Sequence, residues 1–378
     1  MKEKIITFIL TLMIIVILGV IGTIAYFVYI EVTEEGTIEI DFESEAGFPT
    51  IKYTPSKNNS IEIDEELFAG VEGTNTSTTS TSPITETVAK QSRYLYNQLE
   101  DTAQTIYSKL YQNKENLKTG TYKIDFGDTF QSLLLQENGD VELKKQYQSA
   151  IEALVYENPD IFFLDVTKMY INIEKITKIT GTKYNAFIDN GSSISYLSDG
   201  FYSKEDVEKY ESQIEQIKNQ IITQVNEKDD YQKIKMIHDY LIDSIEYEND
   251  LTQKHVYDIY GALVKRRCVC EGYAKAFQYL MNELGIENTI VIGTGTNSKN
   301  ETENHAWNYV KLEGQWYAVD VTWDDPIITG GGKLTNKSKY EYFLKGLKTM
   351  NQNHVPSGKF TQGGKTFRYP ELSVEDYK

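Results

Sequence analysis

Cysteine and histidine are scarce in this chain, with two and four among 378 residues. Two cysteines exclude a disulfide scaffold and any zinc site built on four thiolates. Four histidines leave little material for a histidine-rich metal centre, and no motif calls for a cofactor. Basic residues are also outnumbered, 38 against 56 acidic, for a formal net charge of −18. Phosphate binding needs a basic stripe, so the balance argues against nucleic acid. It gives no electrostatic pull toward an anionic membrane surface either. What remains is ordinary for a folded protein: 40% hydrophobic and 25% charged residues argue against wholesale disorder. The length leaves room for two domains plus connecting segments. The 28 tyrosines have no function that the sequence explains.

Ile5 to Ile30 is a run of 26 residues without a charge. About 20 residues span the hydrocarbon, so this run is long enough with some tilt. Lys2 and Lys4 precede it, and the sixteen residues from Glu31 to Ala46 carry seven acids and no base. The positive-inside rule puts the N-terminus in the cytoplasm and the rest outside, as a single-pass cell-membrane protein. A cleaved signal peptide has a shorter apolar region ending in small residues. Ala25-Tyr26-Phe27-Val28-Tyr29-Ile30 is a poor cleavage site, so an uncleaved anchor is expected. Residues 31–90 read as an acidic and Ser/Thr-rich extracellular stalk. It includes the polar tract Thr74 to Thr87 and a short alternating strand, Thr37 to Phe42, with no obvious partner.

From about Ser92 the pattern turns helical. Leu95, Leu99, Ala103, Ile106 and Leu110 mark one face of a helix, and Tyr147, Ala150, Ile151 and Leu154 mark a second. Met169 to Ile173, Tyr184 to Ile188 and Ser193 to Leu197 read as strands, the last two joined at the turn Asn190-Gly191. A long helix opens at Ser203, which with Asp206 resembles a capping box. Its stripe is Val207, Ile214, Ile217, Ile221 and Val225. This region, residues 91–228, reads as an α+β accessory domain without visible chemistry. The next helix carries Ile234, Ile237, Leu241 and Ile245, with His238 beside the stripe as a hydrogen-bonded core histidine. His255 and His354 read as surface or structural residues.

Chemistry concentrates between Cys268 and Asp325. Ala274, Phe277, Met281 and Leu284 repeat at helical spacing, and Gly285 suits a C-terminal cap. Cys270 therefore stands at a helix N-terminus, where free N–H groups and the dipole favour a thiolate and a developing oxyanion. Thr289 to Ile292 reads as a strand and Gly293 to Asn304 as a polar loop. His305 to Leu312 and Trp316 to Asp320 then form a hairpin around Glu313-Gly314. Its ends bring His305 and Asp320 together. Thiol, imidazole and carboxylate make the thiol analogue of a hydrolase triad.

Cys270-Glu271-Gly272-Tyr273-Ala274, His305-Ala306-Trp307-Asn308 and Asp320-Val321-Thr322-Trp323-Asp324-Asp325-Pro326 closely resemble motifs of the bacterial transglutaminase-like superfamily. His238 to Leu241, Tyr260 to Leu263, and Tyr342-Phe343-Leu344 with Met350 and His354 extend the resemblance over about residues 230–356. A weaker likeness to the region preceding such domains covers Ala150 to Phe163. The resemblance implies an α+β, papain-like fold for residues 229–378, a helix bearing the cysteine packed on an antiparallel sheet. By position, Cys270 is the expected nucleophile, His305 the general base and acid, and Asp320 its orienting partner. The implied chemistry is acyl transfer through a thioester at a glutamine side-chain or peptide amide. The expected substrate is a surface protein or cell-wall peptide, with a lysine or other amine as acceptor for cross-linking, or water for hydrolysis. The superfamily also includes peptidases, other amidases and inactive members. A non-catalytic surface binding or scaffold module is therefore the competing reading.

Cys268 is expected to point away from Cys270 and to be a small, partly buried residue. Exchanged roles for the two cysteines contradict the family register. Trp307, Trp316, Tyr317 and Trp323 are expected as core and groove walls. Asp324-Asp325-Pro326 and Thr329 to Gly332 fit no calcium loop and are expected to be solvated turns.

Overall fold

The computed structural model describes residues 36–41, 50–55, 61–63, 93–179, 181–325, 339–361 and 363–378. The expected anchor Ile5–Ile30 and the tract Thr74–Thr87 lie outside them. Among the described residues no helix is long and apolar enough to cross a membrane. The chain divides into two units, Met1–Ile61 and Glu62–Lys378. In the first, β1 (Gly36–Asp41) pairs antiparallel with β2 (Thr50–Pro55), Ile38 opposite Tyr53. The strand expected near Thr37 thus has a partner, supplied by a segment read as stalk.

In the second unit the spaced residues Leu95, Leu99, Ala103, Ile106 and Leu110 are all buried, but not in one helix. A 3₁₀ turn, Tyr96–Gln98, ends at Leu99, whose ψ of 151° is extended, and α1 (Asp101–Gln112) starts after Glu100. The first backbone donors of this turn, at Leu95 and Tyr96, have no helical partner, and the side chain of Glu157 accepts both. After α2 (Lys114–Leu117), β3 (Ile124–Gly127) and α3 (Gln131–Leu134) comes α4 (Gly139–Glu157). It buries Tyr147, Ala150, Ile151 and Leu154 as the spacing requires. Then β4 (Tyr170–Lys178) and β5 (Gly181–Asp189) form a hairpin, with β3 on the far side of β5.

Ser193–Leu197 is not the expected strand. Asn190 and Ser193 close a turn, but the chain then bonds elsewhere. The Tyr196 N–H donates to Gly120, the Tyr196 carbonyl accepts from Asp165, and the Ser198 N–H donates to Phe163. Its backbone groups are satisfied without β5, so no hairpin forms there. In α5 (Lys204–Val225) the Ser203 side chain accepts the Asp206 N–H, as a capping residue does. α6 (Asp230–Ser244) is capped the same way by Asp229.

The remaining elements frame the cysteine. β6 (Glu246–Tyr247), α7 (Ile259–Leu263) and β7 (Arg267–Cys268) lead into α8 (Cys270–Glu283). β8 (Asn288–Thr296), β9 (Thr302–Leu312) and β10 (Gln315–Val319) follow, and α9 (Leu347–Met350) precedes β11 (His354–Pro356). They make an antiparallel sheet in the order β10-β9-β8-β11. Glu313 and Gly314, at φ of 51° and 80°, form the two-residue turn that suits sheet twist. Ala274 of α8 packs on Ile290 and Ala306, while Trp307, Tyr309 and Val291 pack with Ala318, Met350 and Leu372 on the other face. Full burial of Phe277 and Met281 adds about 1.5–3 kcal/mol each.

β8 is longer than expected and the polar loop correspondingly shorter. Gly293 and Gly295 read as loop residues, yet both are paired strand positions. A Cβ on Gly293 would clash with the Val355 carbonyl oxygen of β11 and lie 2.8 Å from the Trp307 ring, and one on Gly295 would lie 2.7 Å from the Trp323 ring. Gly293 lets the β11 backbone approach closely, and Gly295 lets an indole lie directly on the strand.

Candidate active site

Cys270 is the first residue of α8, and Val269 offers no side-chain cap. The N–H groups of Gly272 and Tyr273 turn back to the Val269 carbonyl. Those of Cys270 and Glu271 have no partner among the described residues, which leaves an anion-favouring end beside the half-buried thiol. Cys268 sits underneath. It is wholly buried, and a Cβ on Gly272 would lie 2.5 Å from the Cys268 Cβ. Only glycine lets the first turn of α8 close over it. The two cysteines are free and play different parts. Burial pushes the Cys268 thiol well above its usual range, whereas Cys270 is close enough to His305 to favour its imidazolium.

The hairpin register explains the next link. Val319 pairs with Asn308, so Asp320 falls beside Trp307 and shares a face with His305. The His305 Nε2 donates to the Asp320 Oδ2 at 2.6 Å. That fixes the tautomer and leaves Nδ1 for the thiol. The Asp320 Oδ1 accepts the Trp323 N–H at 3.1 Å, and Asp320 is fully buried. Burial opposes charge on both partners. The Asp320 carboxylate outweighs it and pushes His305 up to about 10, and the imidazole holds the carboxyl far below the usual range. The three expected residues are therefore brought together, the imidazole bonded to the carboxylate and coupled to the thiol. Trp323 and Trp307 flank the imidazole, with ring centres 5.2 and 5.8 Å away.

The cluster has a fourth member that sequence pattern places among structural residues. His354, on β11, is buried, and its Nε2 donates to the same Asp320 Oδ2 at 2.9 Å. Thirty-four positions separate it from Asp320, so no spacing rule connects them, and only the family wording had grouped it with Tyr342 and Met350. His305, Asp320 and His354 bring three possible ligand atoms within 4.8 Å of one another. Both facing imidazole nitrogens are spent on the carboxylate, so the cluster reads as a hydrogen-bond relay.

His238 is a core histidine as expected, but an ionic one. Its ring nitrogens lie 3.0 Å from Asp239 and 3.0 Å from Asp324. Burial works against its charge, and the two carboxylates overcome it and hold the imidazole above the usual range. The expectation of a solvated turn at Asp324-Asp325 fails for the same reason. Asp324 is wholly buried, accepting the Tyr342 N–H as well, and Asp325 takes the Tyr273 hydroxyl at 2.6 Å. These acids anchor the segment after Asp320. Thr329 to Gly332 lies outside the described residues. His255 is buried on Asp258 among Phe201, Tyr210 and Tyr260, a structural position.

Residues 217–321 match the family model of the transglutaminase-like superfamily. Kyphoscoliosis peptidase of Mus musculus and that of Homo sapiens are each 28% identical over 142 residues, 34% of this chain and 21% of theirs. The chain thus spans about a fifth of the length of these curated relatives. A solved structure described as a TGase aligns with a TM-score of 0.28 and 16% identity, over 47% of this chain and 50% of its own. Residues 217–321 are accordingly a transglutaminase-like superfamily domain.

Proposed function

We propose that the chain is a thiol acyl-transfer enzyme acting on amides of proteins or peptides, with Cys270, His305 and Asp320 as its acting groups. The observation that carries this is the convergence of the thiol, the imidazole and the buried carboxylate it bonds, assembled from α8, β9 and the end of β10. In the proposed reaction Nδ1 of His305 takes the Cys270 proton and the sulfur attacks the amide carbonyl carbon. The oxyanion meets the free N–H groups at the start of α8. The C–N bond breaks as His305 returns the proton to the leaving nitrogen, giving a thioester. An amine or water then loses a proton to His305, attacks the thioester and regenerates the thiol. Cys268 is unsuited to the part, because its thiol is buried and stays protonated.

Whether the acceptor is an amine or water divides cross-linking from hydrolysis, and the peptidase name of the curated relatives favours hydrolysis. An extracellular location behind the anchor Ile5–Ile30 belongs to the same proposal and rests on charge asymmetry alone. The test incubates the full chain and its Cys270→Ala variant with a glutamine-containing protein and a labelled primary amine, read by mass spectrometry. Label incorporation lost only in the variant establishes transamidation. Cleavage or deamidation alone establishes a hydrolase. No product, with unchanged peptide binding in Cys270→Ala, establishes a binding module and overturns the proposal.

A further inference from the structure

We infer that His354 is a positioning residue: it shares Asp320 with His305, locks the carboxylate in place and moderates how tightly His305 holds its proton. The inference rests on the reading of Cys270, His305 and Asp320 as the acting groups. Both imidazoles donate through Nε2 to one oxygen, at 2.6 Å from His305 and 2.9 Å from His354. The other oxygen accepts the Trp323 N–H. Three donors converge on a carboxylate with no solvent contact, so it has no freedom to rotate away from His305.

His354 is itself over-determined. β11 pairs it with Gly295. With Nε2 donating, Nδ1 is left as the acceptor, and it faces the Asn353 side-chain amide at 2.7 Å, an amide that also bonds the Tyr342 hydroxyl at 2.6 Å. Trp323, Trp307 and Tyr342 enclose the ring, with centres 4.5, 5.0 and 5.2 Å away. The side chain has no exposed surface, so it does not meet substrate and acts only through Asp320.

The chemical consequence follows from sharing. A carboxylate oxygen that accepts two N–H donors presents less charge to each than it would to one. His305 must accept the thiol proton and later surrender it to the leaving nitrogen, and a base bound too strongly to its carboxylate stalls the second transfer. His354 draws on the same oxygen and so holds the proton affinity of His305 down. The other ionisable groups around it act little on this balance. Tyr342 is kept neutral by burial, its phenol raised. The nearby Asp324 carboxylate is committed to His238 and the Tyr342 N–H.

The test needs no substrate. Iodoacetate alkylation of Cys270 is followed against pH in the full chain, with each cysteine resolved by fragment-ion mass spectrometry. An anionic reagent is drawn to the imidazolium, so the rate falls on the alkaline side as His305 loses its proton. His354→Phe keeps an aromatic ring in the box and removes the donor, and this alkaline limb is expected to move up by about one pH unit. His354→Gln restores a donor and should return the limb toward wild type, which a merely structural role would not do. A limb that stays or moves down in His354→Phe, while His305→Ala abolishes it, overturns the role of His354 and leaves the acting groups standing. A limb that persists in His305→Ala overturns both. If His354→Phe does not fold, ¹⁵N-histidine spectra of the wild-type chain decide, because there are only four histidines to assign. A proton on Nε2 of His354 supports the inference, and one on Nδ1 alone overturns it.

Discussion

Gly295→Ala tests whether the bare face of β8 is what allows the aromatic cover over His305 and Asp320. The added Cβ would lie 2.7 Å from the Trp323 Cζ2 and 3.4 Å from the His305 Cδ2. Carbon contacts are comfortable at roughly 3.5–4.0 Å, so the indole has to move by about 1 Å. Overpacking of this kind costs about 1–3 kcal/mol. The displacement reaches the chemistry, because the Trp323 N–H holds Asp320 and its ring lies on His305. A misplacement of about 1 Å costs on the order of 10²-fold in rate. The control is Gly285→Ala, at φ +69° with no heavy atom within 4 Å of the new Cβ. It should cost about 1–2 kcal/mol through left-handed strain alone and leave the site untouched. Urea unfolding followed by tryptophan fluorescence gives the two stabilities, and iodoacetate alkylation gives the state of the site. Both variants should be destabilised to a similar degree, and only Gly295→Ala should slow the Cys270 reaction. Equal alkylation rates in the two would refute the account of why β8 carries glycine there.

Asp320→Asn places an amide before two imidazole donors and removes the charge that stabilises the His305 cation. Turnover should fall by about 10³–10⁴-fold with the fold retained, as checked by circular dichroism beside the kinetics. Burial pushes the Glu157 carboxyl up to about 8, against the bonds from Leu95, Tyr96 and Tyr107. The folded state therefore holds this proton more tightly than the unfolded chain, near 4.3, so stability from this group is present at low pH and lost as pH rises from about 4 toward 8. Glu157→Gln should remove that loss, and its stability relative to wild type should improve between pH 5 and pH 8.5 in urea titrations. A constant difference would count against the assignment. In native protein, alkylation should modify Cys270 and spare the buried Cys268 until denaturant is added. Early labelling of Cys268 in peptide maps would contradict its burial.

Much of the site was legible because its parts are local patterns. Helical spacing through Ala274, Phe277 and Met281 sets Cys270 at a helix start, and the turn Glu313-Gly314 folds His305 toward Asp320. The stripe of α5 and the capping by Ser203 were visible for the same reason. The failures have a common origin. Gly293 and Gly295 look like loop residues until the Val355 carbonyl and the Trp323 ring close on them. Asp324 looks like part of a solvated turn until His238, 86 residues earlier, meets it in the core. Leu95 to Leu110 shows one apolar face, yet it breaks at Leu99, and its first two donors are met by Glu157 from a distance in the chain.

By itself the sequence determined which residue types can do the chemistry and placed three of them, since a helix terminus and a two-residue hairpin follow from spacing over a few residues. Tertiary structure added how the two cysteines differ, with Cys268 sealed beneath Gly272 and Cys270 beside His305. It alone brought His354 across β8 onto the carboxylate already held by His305. The physical reason is range: periodicity encodes which face of an element is buried, whereas the partner a buried polar group finds depends on which elements the fold stacks together.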